Sequence, residues 1–98
     1  MKKISIVLPL YNEESRLNKL FFGIKKFKKT KYGRLSEIIF VNDGSIDNTE
    51  EKISNFIEKN KSKYKLIKSN QNLGKGYALK LGVKTARYNW IFTMDSDL

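Results

Sequence analysis

The sequence predicts an α/β domain in the order βαβαβαβ, a mostly parallel sheet with crossover helices. Three observations predict it. Apolar runs at residues 4–8, 38–41 and 90–94, with a weaker one at 64–67, have the length and content of strands. Stretches of helical apolar spacing separate them. Each run also leads into a polar cluster: Tyr11-Asn12-Glu13, Asn42-Asp43-Gly44-Ser45, Asn70 to Gly76, and Asp95-Ser96-Asp97. In a parallel sheet these clusters share one edge, the edge at which open α/β sheets bind ligands.

The first run follows Met1-Lys2-Lys3 and faintly resembles a signal peptide. Pro9 interrupts it, and Asn12-Glu13-Glu14 stands in place of a small-residue cleavage site, so it reads as a first strand and cytoplasmic residence is expected. Leu17, Leu20, Phe21, Ile24 and Phe27 recur at helical spacing behind Glu13-Glu14, acidic residues suited to a helix N-terminus. Residues 30–36, with Gly33, read as a loop. The second strand spans 37–41 and is rich in β-branched and aromatic side chains. Asp47 reads as the cap of the next helix, with Glu50 three residues on and Ile53, Phe56 and Ile57 as its buried stripe. A third helix is expected from Gly76 to Arg87, turning Ala78, Leu81, Gly82, Thr85 and Ala86 inward. The fourth strand then closes on the aspartates.

Composition narrows the chemistry. Ninety-eight residues make one small domain, and 40% of them are hydrophobic, enough for a core. There is no cysteine and no histidine, which excludes disulfides, thiolate or imidazole metal sites, cysteine nucleophiles and Ser-His-Asp triads. A metal must be held by oxygen, which favours Mg²⁺ or Mn²⁺. No stretch approaches the ~18 apolar residues that a membrane-spanning helix requires. The net charge is +10, with lysines clustered at 25–31 and 59–65. A solvated surface accounts for this, and so does attraction to phosphate, nucleic acid or an acidic membrane.

Each cluster carries two readings. Asp95 and Asp97, flanking Ser96 at a strand end, suit a divalent cation that bridges a diphosphate; acidic triplets in solvated turns look the same. Asp43 can accept hydrogen bonds from a nucleobase, and Gly44 allows close approach; an Asp-Gly turn before a helix is the plainer reading. Tyr11 offers a ring to a base or ribose and Glu13 a carboxylate to hydroxyls, while Asn12 could simply cap a helix. Asn72-Leu73-Gly74-Lys75-Gly76 could wrap a phosphate at a helix start. It is neither G-x-G-x-x-G nor a P-loop, which argues against dehydrogenases and P-loop kinases or ATPases.

Four segments together resemble the nucleotide-sugar half of a family 2 glycosyltransferase with a GT-A fold. They are Ile6-Val7-Leu8-Pro9-Leu10-Tyr11-Asn12-Glu13-Glu14, Val41-Asn42-Asp43-Gly44-Ser45-Ile46-Asp47-Asn48-Thr49, Asn72-Leu73-Gly74-Lys75-Gly76-Tyr77-Ala78 and Met94-Asp95-Ser96-Asp97-Leu98. Within that family the chain resembles polyprenyl-phosphate (dolichyl-phosphate-type) mannosyl- and glucosyltransferases. The resemblance implies that Pro9, Tyr11, Glu13, Val41 and Asp43 line a nucleoside pocket. It implies that Asp95 and Asp97 hold the metal on the donor diphosphate, with Ser96 alongside and Lys75 as a further donor contact. Ser96 replaces an alanine common in relatives, and Asn42 stands where many have aspartate.

The implied activity is inverting transfer from a GDP- or UDP-sugar, with a polyprenyl phosphate as acceptor and contact with the cytoplasmic face of a membrane. Relatives continue past the metal motif, so residues 1–98 are expected to be the donor-binding part of a truncated enzyme, inactive by itself and without an identified catalytic residue. The alternative is a non-catalytic nucleotide-binding remnant or interaction module of the same fold. A nucleic-acid-binding protein is disfavoured, because the lysines come with no RNP-type motif and leave the aspartates unexplained.

Overall fold

The computed structural model describes residues 3–60 and 63–95. Among them, strands β1 (Ile4–Leu10), β2 (Glu37–Asp43), β3 (Tyr64–Ser69) and β4 (Trp90–Thr93) alternate with helices α1 (Leu17–Lys28), α2 (Thr49–Asn60) and α3 (Lys75–Thr85). The strands form one parallel sheet in the order β3-β2-β1-β4. The chain winds from β1 through β2 to β3, then returns across the sheet to add β4 on the far side of β1. That reversal makes β1 the switch point of the sheet, and crevices form at the carboxyl edge of such points.

Alternation along the strands builds two cores. Ile6, Leu8 and Leu10 of β1 and Ile38 and Phe40 of β2 face α1 and α2, packing on Leu17, Ile24, Ile53 and Phe56. Phe21 stacks on Phe56 at 4.1 Å between centroids, and both stand nearly perpendicular to the Phe40 ring. Val7, Ile39 and Val41 point the other way, against Ala78 of α3. Gly82 sets how near α3 lies: a Cβ there would stand 2.2 Å from Val7 Cγ1.

The expected elements all form, with altered ends. A 3₁₀ turn at Glu14–Arg16 precedes α1, and another at Gly33–Leu35 occupies the 30–36 loop. Helix α3 begins at Lys75 and stops at Thr85, short of Arg87. Thr85 is exposed, not inward, and its hydroxyl donates to the Leu81 carbonyl at 2.9 Å. Asn12 is no cap; it sits at φ 49, the left-handed region that asparagine tolerates.

Beside α1, the sheet keeps an open apolar groove of about 760 Å³. Its walls include Ile4, Ile6 and Leu8 of β1, Trp90 and Phe92 of β4, one of the two edge strands, and Met94 just after it.

Candidate functional site

At the carboxyl edge of the sheet lies a cleft of about 340 Å³. Pro9, Leu10, Tyr11 and Glu13 line it from the end of β1, Asp43 from β2, Asn72, Gly74 and Lys75 from the start of α3, and Asp95 from the segment after β4. Six of the expected site residues therefore converge: Pro9, Tyr11, Glu13, Asp43, Lys75 and Asp95. Val41 does not line the cleft. Its alternation turns it beneath α3, where Gly82 packs on it, and it is 0% exposed. Ser96 and Asp97 lie outside the described residues.

Asp43 is 4% exposed and already engaged. Its Oδ1 accepts the Leu73 amide at 3.1 Å and its Oδ2 the Gly74 amide at 2.9 Å. Charge-assisted bonds of this kind exceed neutral ones in strength. The carboxylate thus fastens the glycine loop across the cleft, and only its remaining lone pairs can meet a ligand. Gly44 makes the approach possible. At φ 73 it turns the chain, and a Cβ there would collide with the Gln71 backbone at 2.4 Å.

Hydrogen bonds between two distant loops brace the opposite wall. The Asn12 amide donates to Ser45 Oγ at 2.9 Å, and Asn12 Oδ1 accepts the Ile46 amide at 2.9 Å. The Glu13 amide donates to Thr49 Oγ1 at 3.0 Å, and the Glu14 amide to Asp47 Oδ2 at 3.2 Å. Burial opposes ionisation of Asp47, but the Thr49 hydroxyl and amide and the Glu14 amide outweigh it and hold its carboxyl below the usual aspartate range. Asp47 therefore ties both loops together instead of capping α2 alone. The Glu13 carboxylate pairs with the Arg16 guanidinium at 2.6 Å.

Across the mouth, the Lys75 ammonium pairs with the Asp95 carboxylate; both side chains are about half exposed. Asp95 is a hard oxygen donor lining the cleft, the donor type that Mg²⁺ and Mn²⁺ take. The described residues contain no cluster of three or more candidate metal ligands. Leu10, Asn72 and Gly74 also line the cleft. Asn72 and Gly74 fall inside the noted glycine motif, whereas Leu10 carries no chemical signal.

Comparison with known proteins identifies the family and the fold. The glycosyl transferase family 2 model matches residues 5–98, and the chain belongs to that family. A dolichyl-phosphate beta-glucosyltransferase of Dictyostelium discoideum is 37% identical over 99 residues, covering 96% of this chain and 30% of that protein. A poly-beta-1,6-N-acetyl-D-glucosamine synthase of Staphylococcus aureus is 33% identical, covering 99% of this chain and 22% of that one. Among solved structures, a Pyrobaculum calidifontis mannosyltransferase in complex with GDP-Man and Mn²⁺ superposes with TM-score 0.87 at 21% identity, over 98% of this chain and 28% of that one. S. aureus TarS in complex with UDP superposes with TM-score 0.83 at 27% identity, over 97% of this chain and 27% of that one. The fold is the Rossmann-like GT-A arrangement. The chain spans about 30% of the length of the curated relatives it matches.

Proposed function

We propose that residues 1–98 form the donor-binding part of a glycosyltransferase, holding a nucleoside diphosphate sugar in the cleft at the carboxyl edge of the sheet. One observation carries this reading: Tyr11, Glu13, Asp43, Lys75 and Asp95, drawn from four separate segments, meet in a single cleft. Tyr11, 42% exposed, offers its ring to the base or ribose. Glu13 and the free lone pairs of Asp43 accept from donor hydroxyls or base N–H groups, and the Lys75 ammonium meets the diphosphate. Asp95, together with Asp97, is the carboxylate set for Mn²⁺ or Mg²⁺. When bound, the cation supplies charge neutralisation on the departing diphosphate.

In the transfer, an acceptor oxygen bonds to the anomeric carbon from the face opposite the donor. The bond from that carbon to the diphosphate oxygen breaks, releasing the nucleoside diphosphate with inversion. The dolichyl-phosphate enzymes among the relatives support a lipid-phosphate acceptor. A phosphate monoester with a second pKa of roughly 6 is already anionic at neutral pH and needs no strong general base. This reading places the domain in the cytoplasm beside a membrane surface.

The test is thermal unfolding of the 98-residue chain with UDP, GDP or their hexose conjugates, each with and without Mn²⁺. Stabilisation by a nucleoside diphosphate that grows with Mn²⁺ is expected. No stabilisation by any of them contradicts the donor reading and favours a non-binding remnant of the fold.

A further inference from the structure

The ion pair across the mouth of the cleft has an unusual setting. Lys75 is the first residue of α3, and no acidic residue occupies that first turn. A cation there faces the positive end of the helix dipole, an unfavourable position that an adjacent anion relieves. Its placement is also fixed from behind. Gly74, the residue before it, is held at φ 99 with its amide shared between Asp43 Oδ2 at 2.9 Å and Asn72 Oδ1 at 3.0 Å. The Lys75 side chain then reaches Asp95, beyond the end of the edge strand β4. Two neighbouring anions can therefore satisfy this ammonium, the Asp95 carboxylate or a phosphate within the cleft.

We propose that Lys75 is a displaceable counter-ion: it occupies Asp95 in the empty cleft and leaves that carboxylate when a divalent cation binds, turning onto the donor diphosphate. The inference rests on the donor-site reading and adds a coupling between metal and nucleotide. A cation arriving alone must break the ion pair and strand an ammonium at a helix N-terminus. A cation arriving with a diphosphate leaves that ammonium a new partner. Coupling of this kind is reciprocal, so metal raises nucleotide affinity by the factor by which nucleotide raises metal affinity. Lys75 is thus a positioning residue for the cation and a direct contact for the donor, and its removal moves the two affinities in opposite directions.

The experiment uses Lys75→Met, Lys75→Arg and Lys68→Met in the 98-residue chain. Lys68 pairs with Glu50 outside the cleft and controls for net charge. Free Mn²⁺ is counted by electron paramagnetic resonance without nucleotide, and UDP and GDP binding is measured by calorimetry with EDTA and with Mn²⁺. Lys75→Met is expected to bind Mn²⁺ alone about two- to five-fold more tightly, the range for releasing an exposed ion pair. It is expected to bind nucleoside diphosphate about ten-fold more weakly, as for losing a hydrogen bond to a charged group. Lys75→Arg retains the wild-type pattern, and Lys68→Met changes neither affinity. Unchanged Mn²⁺ affinity in Lys75→Met, an equal gain in Lys68→Met, or no Mn²⁺ binding by any variant overturns the exchange, even when nucleotide binds. A wild-type chain that binds neither nucleotide overturns the donor reading separately, because the Mn²⁺ arm contains none.

Discussion

Asp43, proposed to meet the donor, already carries a structural role. Two backbone amides from a loop 30 residues away end on its two oxygens, so the carboxylate sets the position of Gly74 and thereby of Lys75. Asp43→Asn replaces one acceptor with a donor and removes the charge. It is expected to lower unfolding stability by about 1–3 kcal/mol and to weaken nucleotide binding. Urea unfolding and calorimetry measure the two effects. A variant of wild-type stability would show that the loop is held by other means. The candidate residues could be read from residue type at strand ends: aspartate, glutamate and tyrosine where a parallel sheet opens. Their existing partners could not be read, because the Asp43–Gly74 and Lys75–Asp95 contacts depend on tertiary proximity.

At the scale of elements, continuous apolar runs announced β1 and β2 and helical spacing announced α1 and α2, whereas the division into two cores came only with the fold. Period-two alternation along β2 turns Val41 beneath α3 with Ile39 instead of into the pocket. Helix ends were harder to place, since 3₁₀ turns and side-chain bonds from distant loops set them. Asp47 is the clearest case. It was expected to cap α2, and it also receives the Glu14 amide, a contact across 33 residues that local sequence does not encode. Asp47→Ala is expected to cost about 1–2 kcal/mol and to loosen residues 12–14 as well as α2, seen as faster amide exchange at Glu13 and Glu14. Gly82→Ala tests the seating of α3. The added Cβ collides with Val7 Cγ1, and the cost is expected to be about 1–3 kcal/mol by the same denaturation assay.

Across the whole molecule, the two edges of the sheet do different work. The carboxyl edge carries the cleft. At the amino edge, Glu37 is buried among the Ser5 hydroxyl at 2.7 Å, the Arg87 amide at 2.8 Å and the Lys65 ammonium at 2.7 Å. This network ties β1, β2, β3 and the entry to β4 together. Burial pushes the Glu37 carboxyl upward, but Lys65, Ser5 and Arg87 outweigh it and hold it below the usual glutamate range. A carboxylate depressed in the folded state stabilises the protein above its unfolded-state pKa, and that contribution is lost as pH falls through the folded value. Stability is therefore expected to decline below about pH 4, and Glu37→Gln should flatten that acid limb while lowering stability at neutral pH. The open groove beside α1 adds a second global property. Phe92 is 53% exposed there, so the 98-residue chain is expected to bind an apolar dye such as ANS and to lose most of that signal in Phe92→Ser.

The central claim concerns one place on the molecule, and paramagnetic broadening reads place directly. Amide spectra of the ¹⁵N-labelled chain are recorded with UDP or GDP while Mn²⁺ is added. The account predicts selective loss of the Tyr11, Gly74, Lys75 and Asp95 signals, with Arg34 and Arg87 at the amino edge unaffected. Broadening centred on the amino edge, or spread evenly over the basic surface, would contradict it.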